Sequence, residues 1–233
     1  MERLDKLLAG TGRWSRREVK ELVRTGRVLV NGQRVSKAED KFSENDIFVV
    51  NGETVSCGGF VYLMLNKPAG YISATEDPRQ KTVLDLLPEH LRKVGLFPAG
   101  RLDKDTEGLL LLTNDGQLAH ELLAPKKHVD KTYFVRVDGR LNETDVEAFS
   151  AGMTLEDGYI CLSAGLELLE HENEGIVTLR EGKYHQIKRM LAVREKPVVY
   201  LKRLTMGPLV LDRELALGQW RELTEQEKKQ LGR

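Results

Sequence analysis

Apolar positions along this chain recur first with a helical period and later mostly with the period of two that marks strands. Near the amino terminus Val19, Leu22 and Val23 stand at helical spacing behind Ser15-Arg16-Arg17-Glu18. The serine and glutamate three residues apart form a capping-box pattern, and Gly26 is suited to end the helix. Arg3-Leu4-Asp5-Lys6-Leu7-Leu8 opens an earlier helix. Arg27-Val28-Leu29-Val30 and Gln33-Arg34-Val35 then flank Asn31-Gly32, which predicts two short strands around a two-residue hairpin turn. Asn51-Gly52-Glu53 and Cys57-Gly58-Gly59 interrupt a strand-like run, placing the join between two domains over residues 51–59.

Beyond the join, Val61 to Asn66 reads as a strand stopped by Pro68 and turned by Gly70. Further strands are predicted at 108–113, 131–137, 166–169, 176–179 and 198–206, and helices at 116–123, 143–150, 184–193 and 224–231. Strands outnumber helices and do not alternate with them regularly, which excludes a doubly wound parallel sheet and makes the fold class α+β. No internal repeat or low-complexity tract interrupts the pattern. The expected division is a small domain over residues 1–58 and a larger one over 59–233.

The net charge is zero, but residues 1 to 34 hold nine Lys or Arg against four Asp or Glu. The amino-terminal end is therefore locally basic, and a polyanion responds to that local field within roughly 10 Å at ordinary salt. Arg13, Arg16, Arg17, Lys20, Arg24 and Arg27 gather on and around the Ser15-capped helix. Cys57 and Cys161 form no C-x-x-C pair, which argues against structural zinc or a disulfide framework. No apolar run reaches the roughly 20 residues of a membrane span, and the first residues are charged where a secretory signal is apolar. The expected location is cytoplasmic. The expected state is a monomer, since no coiled-coil pattern is present.

Three segments carry candidate chemistry. In Gly100-Arg101-Leu102-Asp103-Lys104-Asp105-Thr106-Glu107-Gly108, extended backbone would point Arg101 and Asp103 the same way and Leu102 behind. In Lys131-Thr132-Tyr133-Phe134-Val135, alternation puts Lys131, Tyr133 and Val135 on one face. In Glu181-Gly182-Lys183-Tyr184-His185-Gln186-Ile187-Lys188-Arg189-Met190-Leu191, an apolar helical stripe begins beside several cations.

The Gly-Arg-Leu-Asp segment resembles that of the pseudouridine synthases. The whole chain resembles the branch of that family that modifies ribosomal RNA and carries an S4 RNA-binding domain in front. The resemblance implies a catalytic domain with a mixed, largely antiparallel sheet and an RNA cleft across one face. It implies Asp103 as the catalytic carboxylate, Tyr133 packed on the target base and suited to take the C5 proton, and Lys188 paired with Asp103. It also implies that Leu191 closes over the uracil and that Arg101 fills the space the flipped base leaves. Where many relatives have Arg, this chain has Lys188, a point charge without a bidentate fork. The match over about residues 1–50 to S4 domains implies docking on structured RNA through Arg16, Arg17 and Lys20, phosphate contacts that orient without reading sequence.

Isomerisation of uridine breaks the bond from C1′ to N1, turns the uracil and joins C5 to C1′. It involves no redox change and no second substrate, so no cofactor or metal is called for. A carboxylate beside C1′ serves by charge stabilisation, by covalent attack or by taking the C2′ proton, and all three routes stay open. The wording around Tyr184 and His185 most resembles the enzymes of small-subunit 16S rRNA, because large-subunit relatives tend to show Arg or Asn there. A 23S rRNA target and a non-catalytic ribosome-assembly factor are the alternatives.

Other chemistries lack their motifs: no G-x-x-x-x-G-K-[ST], no G-x-G-x-x-G after a strand, no H-E-x-x-H and no zinc-deaminase pattern is present. His90, His120, His128, His171 and His185 are scattered, and His185 reads as structural or RNA-contacting. A glycosidase pairing of Asp103 with Asp105 or Glu107 is disfavoured because Thr106-Glu107-Gly108 reads as the turn into the next strand.

Overall fold

The capping and hairpin signals near the amino terminus build a unit with its own core. The computed structural model describes residues 1–233 except 12, 45, 56, 58, 93 and 125–128, so Gly58 and His128 lie outside the described residues. One unit comprises Met1–Val61 with Leu84–Phe97, and the other Tyr62–Val83 with Pro98–Arg233.

In the first unit a short strand β1 (Glu2–Arg3) leads into α1 (Leu4–Gly10), followed by α2 (Arg16–Arg24). Ser15 accepts from the Glu18 amide, and the Glu18 side chain accepts from the Ser15 amide, which closes the capping box. Leu4, Leu7 and Leu8 of α1 meet Val19, Leu22 and Val23 of α2 in one core with Val28, Val30, Phe48 and Val50. Strands β2 (Val28–Val30), β3 (Gln33–Arg34), β4 (Lys41–Phe42), β5 (Phe48–Val50) and β6 (Glu53–Val55) complete it. They form a sheet in the order β3-β2-β5-β6, and β4 pairs with β1. Arg16, Arg17 and Lys20 all lie exposed on α2.

Asn51-Gly52, read from the sequence as part of the join, is instead a hairpin turn inside this sheet. Asn51 (φ 54°) and Gly52 (φ 85°) repeat the left-handed pair at Asn31 (φ 51°) and Gly32 (φ 79°), and β5 and β6 hydrogen-bond across it. Cys57 is likewise buried in this core.

The second unit begins with β7 (Tyr62–Lys67), all six residues of which are buried. A 3-10 turn (Val83–Leu86), α3 (Glu89–Arg92) and β8 (Phe97–Pro98) mark the chain's passage through the first unit and back. Then follow β9 (Glu107–Thr113), α4 (Gly116–Leu123), β10 (Lys131–Val137), α5 (Glu143–Ala151), β11 (Gly165–Leu168) and β12 (Glu174–Leu179). The chain ends through α6 (Gln186–Val193), β13 (Val198–Met206), β14 (Leu209–Val210), β15 (Trp220–Glu222) and α7 (Glu225–Gln230).

The sheet runs β11-β12-β10-β13-β9-β7-β15 with β14 beside β13. Only β13 and β9 are parallel along this path. The fold is thus α+β with a mixed, largely antiparallel sheet. Among the described residues no helix is long and apolar enough to cross a membrane.

The parallel contact demands a glycine. Gly108 has φ 102°, and a Cβ there would lie 2.2 Å from the Arg203 carbonyl oxygen of β13. Gly108→Ala should therefore carry about 1–3 kcal/mol of backbone strain, plus the cost of separating β9 from β13. Urea denaturation should show the midpoint falling; an unchanged midpoint would mean that the two strands do not approach this closely.

Candidate active site

The chain after Pro98 does not form a strand until Glu107, yet it is held as tightly as one. Leu102 is buried, and its N–H and C=O both bond Ser73 Oγ, at 3.0 and 2.9 Å. With Leu102 pointing inward, Arg101 is exposed and Asp103 half-buried on the other side, as the alternation predicts. Residues 103–106 then turn, the Thr106 amide donating to the Asp103 carbonyl at 3.1 Å.

The anchor beneath this turn is Lys67, at the end of β7, a residue that motif spacing does not single out. Its ammonium is fully buried and donates to the carbonyls of Thr106 (2.8 Å), Asp103 (3.0 Å), Pro68 (3.1 Å) and Lys104 (3.3 Å). Burial pushes its pKa down to about 8, against the pull of Asp105, Asp103 and Glu107. It stays protonated at neutral pH, as its role of multiple donor requires. The available signal is Lys67-Pro68-Ala69-Gly70, a lysine at a strand end where an apolar residue would ordinarily close the run.

Asp103 faces a cavity also lined by Arg101, Thr106, Tyr133, Ile187 and Lys188. Lys188 Nζ lies 3.0 Å from Asp103 Oδ2 and 2.5 Å from Asp105 Oδ1. Burial opposes its charge, but the bonds to Asp105 and Asp103 outweigh that and hold its pKa above the ordinary lysine value. Asp105, against its own partial burial, is held below the usual carboxylate range by Lys188. One cation thus clamps two carboxylates, where the sequence pointed to a single pair. The turn over residues 103–106 is what brings Asp105 to the same cation as Asp103. Glu107 accepts from the Tyr200 hydroxyl at 2.7 Å and is not among the residues that line the Asp103 cavity, so it does not pair with Asp103 there.

Tyr133 enters from β10, where the burial of Lys131, Tyr133, Val135 and Val137 follows the strand alternation. Its ring is buried against the same cavity. The helix expected from Tyr184 starts two residues later, because His185 takes the left-handed conformation (φ 50°) that a helix interior forbids. That turn brings His185 Nε2 to 3.5 Å from Asp103 Oδ1 and stacks its ring on Tyr184, centroids 3.8 Å apart.

Leu191 does not close the cavity. It is fully buried one helical turn beyond Ile187, inside the core of the unit, and the apolar lining comes from Ile187, Leu179 and Leu201. A helical stripe names the buried face but not which turn of it reaches the cavity mouth. Thr106 adds a buried hydroxyl with no hydrogen-bond partner among the described residues. Arg16, Arg17 and Lys20 belong to the first unit and are not part of this cavity. Lys20 pairs with Glu39 at 3.0 Å, while Arg16 and Arg17 have no carboxylate partner among the described residues. No cluster of potential metal ligands occurs among the described residues.

Comparison with known proteins places this arrangement. Residues 61–193 match the family model described as RNA pseudouridylate synthase, and residues 2–48 match the S4 domain model. A Bacillus subtilis (strain 168) protein named uncharacterized RNA pseudouridine synthase YtzG is 49% identical, covering 97% of this chain and 96% of its own. The Escherichia coli (strain K12) ribosomal small subunit pseudouridine synthase A is 39% identical, with 97% of each chain covered. A crystal structure described as that of pseudouridylate synthase superposes with a TM-score of 0.70 at 34% identity, covering 99% of this chain and 100% of that one.

Replacing Lys67 by methionine fills the space but leaves its carbonyl partners without their shared donor. The Asp103 and Lys104 carbonyls keep the Thr106 and Gly70 amides as donors, so the loss falls on the Thr106 and Pro68 carbonyls, at about 1–3 kcal/mol for each buried group left unsatisfied. Lys67→Met should lower stability by several kcal/mol, read by urea denaturation, and speed hydrogen exchange of the amides from 103 to 106. Unchanged exchange there would show that the turn holds itself.

Proposed function

Because this chain belongs to the RNA pseudouridylate synthase family and carries an S4 domain ahead of the catalytic fold, we propose that it converts uridine to pseudouridine in ribosomal RNA, at a site in the small subunit. The observation that carries the reading is Asp103 beside Lys188 and Tyr133 in one cavity. A protein that only bound RNA would have no use for a carboxylate held by a cation at the lining of such a cavity. The small-subunit assignment draws on the relatives named for that subunit and on the Tyr184-His185 pair, whose stack lies at the cavity rim.

The target uridine leaves its stack, and Arg101, exposed at the rim, takes the vacated place. Asp103 stands at C1′ while the C1′–N1 bond breaks. Lys188, 3.0 Å from Oδ2, holds the carboxylate in place. The freed uracil turns between Tyr133 and the apolar wall of Leu179, Ile187 and Leu201, and C5 joins C1′; the Tyr133 hydroxyl then releases its own proton as it accepts the one from C5, and N1 gains a proton in turn, so no net proton is taken up. The reaction uses no cofactor. The first unit, with its exposed Arg16 and Arg17, docks the RNA through phosphates.

Carbodiimide treatment and primer extension across ribosomal RNA from cells lacking the protein should show one 16S rRNA stop missing. It should return with wild type and not with Asp103→Asn, although that variant keeps RNA affinity. Return with Asp103→Asn would overturn the catalytic role, and a missing stop in 23S rRNA would overturn the subunit assignment. Separately, Arg16→Gln with Arg17→Gln should weaken RNA binding across sequences. The log-log salt slope should fall by up to about 0.7–0.9 for each phosphate that is no longer neutralised; an unaltered slope would place both side chains away from RNA.

A further inference from the structure

Beside the Asp103 cavity lies a second one of about 320 Å³, and its charge is not balanced. Arg203, in the middle of β13, is 1% exposed. Its Nε donates to the Leu109 carbonyl at 2.7 Å, but Nη2 is buried with no hydrogen-bond partner among the described residues. Lys131, from the neighbouring strand β10, is also buried, and among the described residues its ammonium donates only to the Val129 carbonyl, at 3.2 Å. Both line this cavity, and neither forms an ion pair with a carboxylate among the described residues.

The acids nearby are already committed. Asp130 pairs with Arg180 at 2.9 Å. Glu181 accepts from Tyr159 Oη (2.7 Å), the Leu162 amide (2.9 Å) and Gln186 Nε2 (2.5 Å). Burial lowers the pKa of Lys131, Arg203 lowers it further, and Asp130 acts in the opposite sense. Two buried cations that repel each other and face an open cavity are costly to a fold unless an anion enters.

We propose that this cavity binds one phosphodiester group of the RNA, flanking the uridine held at Asp103. The inference rests on the RNA-modifying reading above and names the part of the substrate that this second recess takes. The two cavities share Arg101, Tyr133, Gly182 and Lys183 in their linings, so a strand with its base at Asp103 runs directly into the cationic recess. The free Nη2 of Arg203 and the Lys131 ammonium supply donors for phosphate oxygens, and the exposed Lys183 stands at the shared rim. A phosphate held in this way sets the register of the strand and is indifferent to base identity.

Two measurements on the full chain test it. The first is thermal denaturation in sodium chloride and in sodium phosphate of equal ionic strength, for wild type, Lys131→Met, Lys131→Gln and the remote Arg140→Gln. Phosphate stabilises folded chains generally, so the reading is the difference between variants. A site filled at about tenfold over its Kd should raise the Tm of wild type and Arg140→Gln by an extra ~3–6 °C, and both Lys131 variants should lack that increment. Lys131→Gln keeps a donor for Val129 should the methionine variant fail to fold. The second is the salt dependence of binding to a 16S rRNA transcript, whose log-log slope should drop by about 0.7–0.9 in the Lys131 variants. Equal increments in wild type and the Lys131 variants would overturn the site. A missing increment with an unchanged slope would assign the recess to a free anion and overturn the RNA assignment. Both effects without any pseudouridine product would leave the phosphate site standing and count against the catalytic reading alone.

Discussion

The buried ammonium of Lys67 is the interaction on which the active centre depends. A turn without regular hydrogen bonding cannot by itself hold a carboxylate in a fixed position. Here carbonyls of the Asp103–Thr106 turn converge on a single cation rooted in a fully buried strand. The Gly70 amide, at 2.8 Å from the Lys104 carbonyl, and the Ser73 hydroxyl fix the flanks. The Asp103 and Asp105 side chains thus sit on irregular backbone with the rigidity of the sheet beneath it.

Charge organises the second unit more than composition suggests. A chain of zero net charge carries Lys67, Lys131 and Arg203 buried close together, with Asp103 and Asp105 gathered by Lys188 on the solvent side. Cations thus stand both below the Asp103 loop and at the rim of its cavity. The parallel pairing of β9 with β13 sets Arg203 opposite Gly108, whose lack of a side chain lets those backbones approach.

Legibility in the sequence is uneven, for physical reasons. Helix α2, the first Asn-Gly turn and the long strands β9, β10 and β13 follow from caps, turn chemistry and period, which act over a few residues. The three-residue strand β15 carries too few residues to show a period, and it exists because the edge of β7 is open to it. The second Asn-Gly pair reads as a linker because turn residues look alike inside a domain and between domains.

Within the site, sequence alone determined which chemistry was possible. Strand alternation put Arg101 with Asp103 on one face, and the resemblance to the pseudouridine synthases gave Asp103, Tyr133 and Lys188 their expected roles. Tertiary structure decided which of them meet and what supports them. It gave Lys188 two carboxylates, drew His185 to Asp103, placed Ile187 and not Leu191 at the cavity, and buried Lys67 and Arg203 beneath it. Those relations join residues far apart in the chain, and local backbone preference cannot encode distances that exist only once the strands have paired.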